Sequence, residues 1–133
     1  MRSDTIDGLV DLDYGIWQWK AHDEARVESP ELFDAWRSAP HLVRFPKGES
    51  LQDLVARTSD ALRFVLDKYT GKTVVLVGHD SVNKALLLQL IDRPLSAYWR
   101  LAQDFCAINE IGVEDWTIRV SRINETHHLA GLS

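Results

Sequence analysis

Two groups of residues stand out as able to do acid–base or phosphoryl chemistry. His79 follows Gly78 at the end of the apolar run Thr73-Val74-Val75-Leu76-Val77, just before a helical stretch. In open α/β sheets ligands collect at the C-terminal ends of strands. The free N–H groups at the start of the next helix favour an anion at the same spot. A histidine there can donate a hydrogen bond to a phosphoryl oxygen; its plainer role would be to cap the helix or fill the turn. The second group is Leu9-Val10-Asp11-Leu12-Asp13-Tyr14-Gly15-Ile16-Trp17. Two acids two residues apart in an apolar setting can include one general acid with a raised pKa. A solvated loop is the plainer reading of that stretch.

Other candidates are weaker. His22, His41, His127 and His128 read as surface or loop residues. Adjacent residues of an extended chain point opposite ways, so His127 and His128 do not make a ligand pair. No Cys/His spacing typical of zinc occurs, and neither a metal nor a cofactor is expected. The single Cys106 has no internal disulfide partner, which fits a reducing cytoplasm. A small buried hydrophobe is the expectation for it, ahead of a catalytic thiol.

The bulk composition narrows the classes. With 45% apolar and 26% charged residues in 133, the chain has the balance of a globular protein and reads as a single domain over residues 1–133. The formal net charge of −5, without a basic run, argues against nucleic-acid binding. No apolar stretch is long enough to span a bilayer, and no apolar leader opens the chain. Five Trp in so short a sequence is high; core filling is expected for most, with some rings free to line a groove.

The elements that must position these groups follow from pattern. Residues up to about Glu28 read as loop with short ordered pieces. Ser29-Pro30 is a helix start, with Leu32, Phe33 and Trp36 on one face. Pro40 and Pro46 bracket an irregular connection. Ser50 with Asp53 forms a capping box, and Leu51, Leu54, Val55, Leu62, Val65, Leu66 and Tyr69 keep helical spacing up to a stop at Gly71. The β-branched run at 73–77 predicts a strand covered on both faces, as in a parallel sheet. Helix is predicted over Ser81 to Ile91, then a short helix around Leu95 to Leu101. Strands are predicted over 107–113 and 116–123, joined by Glu114-Asp115. The sum is an α/β domain with a mixed sheet. A strand buried on both sides needs neighbours on both edges, and nothing before residue 73 supplies a strong one.

These segments together resemble the histidine phosphatase superfamily, which includes the cofactor-dependent phosphoglycerate mutases. Val74-Val75-Leu76-Val77-Gly78-His79-Asp80-Ser81-Val82-Asn83-Lys84-Ala85-Leu86 is similar to its second-histidine motif. Leu9 to Trp17 looks like its acid motif, with Asp11 in place of Glu. Pro46-Lys47-Gly48-Glu49-Ser50, with Arg57 seven residues on, looks like its helix entry. Phe105 to Ile111 and Asn124…His128-Leu129 look like its C-terminal strand pair.

The resemblance implies a three-layer α/β/α, phosphoglycerate mutase-like fold with a mixed, mostly parallel sheet, incomplete at the N-terminus. It implies His79 as catalytic and phosphate-binding, Asp11 as the acid, and phosphate or a small phosphomonoester as ligand. The family's nucleophile, the His of an Arg-His-Gly motif on the first strand, has no counterpart in this sequence; nor has the second phosphate-binding Arg. A truncated member, impaired or inactive, is therefore expected. Asp80 stands in place of a Gly and would weaken anion binding unless turned away as a helix cap. The alternative is a non-catalytic interaction module whose apolar edge pairs with a second copy, giving a homodimer or larger assembly.

Overall fold

The computed structural model describes residues 2–132. The chain opens with two single 3-10 turns, Asp7–Leu9 and Gly15–Trp17. Two short helices follow: α1, His22–Glu28, and α2, Pro30–Ser38. Pro30 occupies the first turn of α2, where its fixed φ suits the helix and its missing N–H has no helical partner to lose. Trp36 on α2 is buried, and Leu32 and Phe33 pack beside it on the same face.

The long helix α3, Leu51–Lys68, starts as its sequence dictates. Ser50 Oγ accepts from Asp53 N–H at 3.2 Å, and Asp53 Oδ2 accepts from Ser50 N–H at 3.0 Å. Leu51, Leu54, Thr58, Ala61 and Val65, spaced by three or four, form its buried stripe. Gly71 then takes a φ of +73°, a left-handed conformation that glycine adopts at no steric cost.

Helix α4, Asp80–Leu90, packs against α3 and is buried nearly all round, from Ser81 and Val82 through Ala85, Leu87 and Leu88. A 3-10 stretch, Leu95–Arg100, delivers Tyr98 to the core. There Tyr98 and Trp36 sit 5.2 Å apart, and Trp36 and Phe45 5.0 Å.

Strands β1, Ile108–Glu114, and β2, Thr117–Glu125, form an antiparallel hairpin. The turn lies one residue beyond the expected position. Asp115 and Trp116 are its two central residues, both at positive φ (49° and 63°). That pairing of angles gives the turn a twist matched to the flanking strands.

Helices with a small sheet make the chain α/β, as expected. One expectation fails: the run at 73–77 is not covered on both faces. Among the described residues it pairs with no strand, and Val75 and Val77 are 75% and 86% exposed. An apolar β-branched pattern encodes a strand, but burial requires neighbours that nothing among the described residues supplies. Cys106 is likewise exposed rather than buried. Of the five Trp, Trp17, Trp36 and Trp99 join the core, while Trp19 and Trp116 stand in solvent.

Candidate active site

His79 is the N-cap residue of α4, extended at φ −104° and ψ 166°, and its side chain makes no capping hydrogen bond. The imidazole is therefore left to other partners. Its Nδ1 lies 3.7 Å from Asp11 Oδ2, with the two side chains roughly half exposed. The opposite carboxylate oxygen of Asp11 is already engaged. Asp11 Oδ1 accepts from Ser81 Oγ at 2.6 Å and from Leu12 N–H at 2.8 Å. Ser81 is fully buried and lies 70 residues from Asp11 in sequence. One carboxylate oxygen is thus tied to the start of α4, and the other is presented toward His79.

The second acid of the pair does different work. Asp13 Oδ1 accepts from Gly15 N–H at 2.9 Å, a local turn bond, and its side chain takes no part near His79. Around it the acid loop is clamped to the entry of α3. Arg57 donates from Nη1 to the carbonyls of Gly8 (2.9 Å) and Val10 (2.7 Å), and from Nη2 to that of Asp11 (2.8 Å). The same guanidinium grips Glu49 at 2.8 and 2.9 Å, and Glu49 Oε2 accepts from Asp13 N–H. Arg57 beside Glu49 holds its carboxyl below the usual range, with the Asp13 N–H adding to the effect against the opposing cost of burial. The loop and the α3 entry approach so closely that a Cβ on Gly48 would lie 2.4 Å from the Asp13 carbonyl oxygen.

Asp80 is turned to its own helix. Its Oδ1 accepts from Ser81 N–H at 2.8 Å, and its Oδ2 lies 3.7 Å from Lys84 Nζ. Lys84 is almost wholly buried, with Nζ over the rings of Tyr98 (4.9 Å) and Trp99 (4.7 Å). Its methylenes are sheltered in the core while a cation is kept beside the start of α4. Burial, and then the Asp11 and Asp80 carboxylates, push the Tyr14 phenol well above its ordinary value. Burial and Tyr14 do the same for Tyr98.

The structure thus brings together Asp11 and His79. It leaves the other histidines apart. His22 packs on Phe33 with ring centres 4.8 Å apart, His41 buries an Nδ1 that has no partner among the described residues, and His127 and His128 lie in a 3-10 turn, His127–Leu129. Among the described residues no group of three or more His, Cys, Asp or Glu is placed to hold a metal ion. Sequence reasoning did not assign a role to Ser81, and nothing local marks it. Arg57 and Glu49 were visible as part of a motif, though not as the clamp on the acid loop. Chemically, the arrangement offers an imidazole and a carboxylate oxygen at one helix N-terminus, with a buried ammonium behind them. Such a site suits an anion with a protonatable oxygen.

Known proteins share the family and the fold of this chain. The model of the histidine phosphatase superfamily (branch 1) matches residues 1–126. The chain is 30% identical over 123 residues to phosphoserine phosphatase 1 of Hydrogenobacter thermophilus, covering 92% of this chain and 58% of that protein. The solved structure of YhfR from Bacillus stearothermophilus superposes with a TM-score of 0.89 at 30% identity, over 94% of this chain and 62% of that one. A phosphoserine phosphatase mutant of Entamoeba histolytica, solved in complex with phosphoserine, shares the fold (TM-score 0.77, 18% identity, 93% of this chain and 62% of that one). The chain thus spans about three-fifths of the length of these relatives. On the family match and this fold, the chain belongs to the histidine phosphatase superfamily, branch 1.

Proposed function

We propose that His79 and Asp11 are the phosphate-holding and proton-donating groups for a small phosphomonoester. The observation that carries this reading is Asp11 Oδ2 at 3.7 Å from His79 Nδ1, with Asp11 Oδ1 anchored by Ser81. His79 donates to a phosphoryl oxygen over the α4 N-terminus, and Asp11 is within reach of the oxygen of a leaving alcohol. Relatives whose names carry phosphoserine support the ligand class. The 133 residues contain no Arg-His-Gly, so this polypeptide by itself lacks the covalent acceptor and binds without turning over.

Phosphate binding to the 133-residue chain, followed by the His79 ring resonances, tests the reading. His79→Ala should weaken binding about tenfold or more, the worth of one charge-assisted hydrogen bond. Asp11→Asn should leave phosphate bound. Unchanged affinity in His79→Ala overturns the assignment. Hydrolysis of p-nitrophenyl phosphate above blank, lost in His79→Ala, overturns the claim of inactivity.

A second reading is favoured by the exposed run at 73–77. Its side chains are uncharged and, from Val74 to Val77, apolar; it pairs with no strand among the described residues, and Val75 and Val77 project into solvent. Such an edge pairs with another chain. In this reading the chain is a non-catalytic module that closes its sheet as a homodimer or larger assembly. Light scattering at micromolar concentration should give more than the monomer mass, falling to monomer in Val75→Lys. A stable monomer for the unaltered chain sinks it.

A further inference from the structure

The start of α4 already carries an anion, and that anion is its own first residue. The first backbone bond of the helix runs from Asn83 N–H to the His79 carbonyl at 3.0 Å. The N–H groups before it have no helical carbonyl to meet. The His79 side chain caps none of them. Asp80 takes one, its Oδ1 accepting from Ser81 N–H at 2.8 Å. A phosphoryl group held by His79 over the same helix end is drawn to those N–H groups too. The Asp80 carboxylate thus holds a donor that the phosphate needs, and bears charge of the same sign.

One turn along α4, Lys84 is placed to receive that carboxylate. It is the one basic residue of the helix, and its side chain is only 7% exposed. Its Nζ lies over the rings of Tyr98 and Trp99, whose faces attract the cation and fix its position. Taking an ammonium out of water is costly unless a partner compensates it. Asp80 Oδ2 stands 3.7 Å away, short of a charge-assisted hydrogen bond, which spans about 2.7–2.9 Å. The Asp80 side chain is short and 53% exposed, while the Lys84 head is enclosed, so Asp80 is the partner able to move. A swing of about 1 Å closes the gap and releases Ser81 N–H.

Charge balance favours the exchange. A phosphomonoester brings about −1.5 to −2 charges at neutral pH. It meets two carboxylates, Asp80 on the helix end and Asp11, whose Oδ2 lies 3.7 Å from His79 Nδ1. Moving one of them onto a buried cation lowers the repulsion and frees a donor in the same step. An acid and a lysine four apart on an exposed helix face are common and contribute little. This pair differs because its lysine is buried and its acid is bound to the helix end where the ligand sits. A glycine at position 80, as in the motif that this segment resembles, would leave Ser81 N–H open and Lys84 without its acid.

We propose that Lys84 is a positioning residue for the phosphate: it draws the Asp80 carboxylate off Ser81 N–H as the phosphoryl group takes that donor. The proposal rests on the reading of His79 as the phosphoryl holder, and the test separates the two. Inorganic phosphate is titrated into the 133-residue chain and its variants, with the His79 ring, the Ser81 amide and the Asp80 carboxyl carbon followed by NMR. The Ser81 amide and the Asp80 carboxyl carbon should both shift as phosphate binds. Asp80→Asn keeps an acceptor and removes the charge, so phosphate should bind about tenfold tighter. Lys84→Met keeps length and burial. It should weaken phosphate about tenfold in the unaltered chain but less than about twofold in the Asp80→Asn chain. Equal weakening in both chains means that Lys84 attracts the anion directly, and overturns the proposal. Unchanged affinity in Asp80→Asn or in Lys84→Met overturns it too. Should Lys84→Met fail to fold, the unaltered chain decides: an Asp80 carboxyl carbon unmoved at saturating phosphate overturns the exchange. A His79→Ala chain that binds phosphate as well as the unaltered one overturns the phosphate site itself. Weakened binding in His79→Ala, with Lys84→Met acting equally in both chains, removes the role of Lys84 alone.

Discussion

The Ser81 hydroxyl joins two segments that lie far apart in sequence. It donates to Asp11 Oδ1 at 2.6 Å from a fully buried position, while Leu12 N–H approaches Ser81 Oγ at 3.3 Å. Removing the hydroxyl leaves one carboxylate oxygen short of a donor and frees the side chain to turn. Ser81→Ala should cost about 1.5–3 kcal/mol in chemical denaturation, the range for a lost hydrogen bond to a charged group. It should also shift the His79 ring resonances at a fixed pH, because the neighbouring carboxylate is no longer held. Unmoved His79 resonances with lowered stability would reduce Ser81 to a packing role. The contrast between Asp11 and Asp13 belongs to this scale too. Side chains two apart leave an extended chain on the same side, so spacing alone made them a pair. The Gly15 turn bond and the Ser81 hydroxyl separate their roles.

At the scale of elements, the entry to α3 positions the acid loop through Arg57. One guanidinium satisfies three loop carbonyls and binds Glu49 with two nitrogens, a fork geometry that lysine cannot reproduce. Arg57→Lys should therefore lose most of what Arg57→Ala loses, about 2–3 kcal/mol of stability. Phosphate affinity should fall with it as Asp11 and the loop loosen. The measurement is denaturant unfolding alongside phosphate titration; near-neutral Arg57→Lys would contradict the clamp. Gly15 makes the same interface intolerant of substitution. It sits at φ +55°, and a Cβ there would meet the Pro46 carbonyl oxygen at 2.0 Å. Gly15→Ala should therefore be among the most damaging single changes on the loop.

For the molecule as a whole, perturbed groups bound stability on both sides of neutral. Glu49 is held below its free value of 4.5, first by Arg57, so its contribution is present above that pH and is lost as pH falls through the lower folded value. Tyr14 and Tyr98 are held above their free value of 10.0, first by burial, so their contribution is complete below pH 10 and is lost as pH rises beyond it. Thermal unfolding midpoints across roughly pH 3 to 11 should fall at both ends. Glu49→Gln should flatten the acid limb, and Tyr14→Phe the alkaline limb. Limbs that keep their slopes in these variants would assign the loss to other groups.

Much of this was legible in the sequence because it is local. The Ser50–Asp53 box, Pro30 at the start of α2 and the three-and-four spacing along α3 act within one or two turns of chain. The hairpin was placed within a residue or two, missing only that its turn centres on Asp115 and Trp116. The nomination of Asp11 and His79 came from motif order, since each motif alone is ambiguous. Burial was not legible at 73–77 or at Cys106, because it depends on what lies alongside rather than on the residues themselves. The sequence by itself determined the helices, the hairpin and the chemistry available at the end of the apolar run. Only the tertiary structure decided that Ser81 orients Asp11, that Arg57 fixes the loop, that Asp80 turns to Lys84, and that tryptophans at positions 17, 36 and 99 surround one cavity. Those relations join residues dozens of positions apart, and their energies depend on distance in space, which no local pattern encodes.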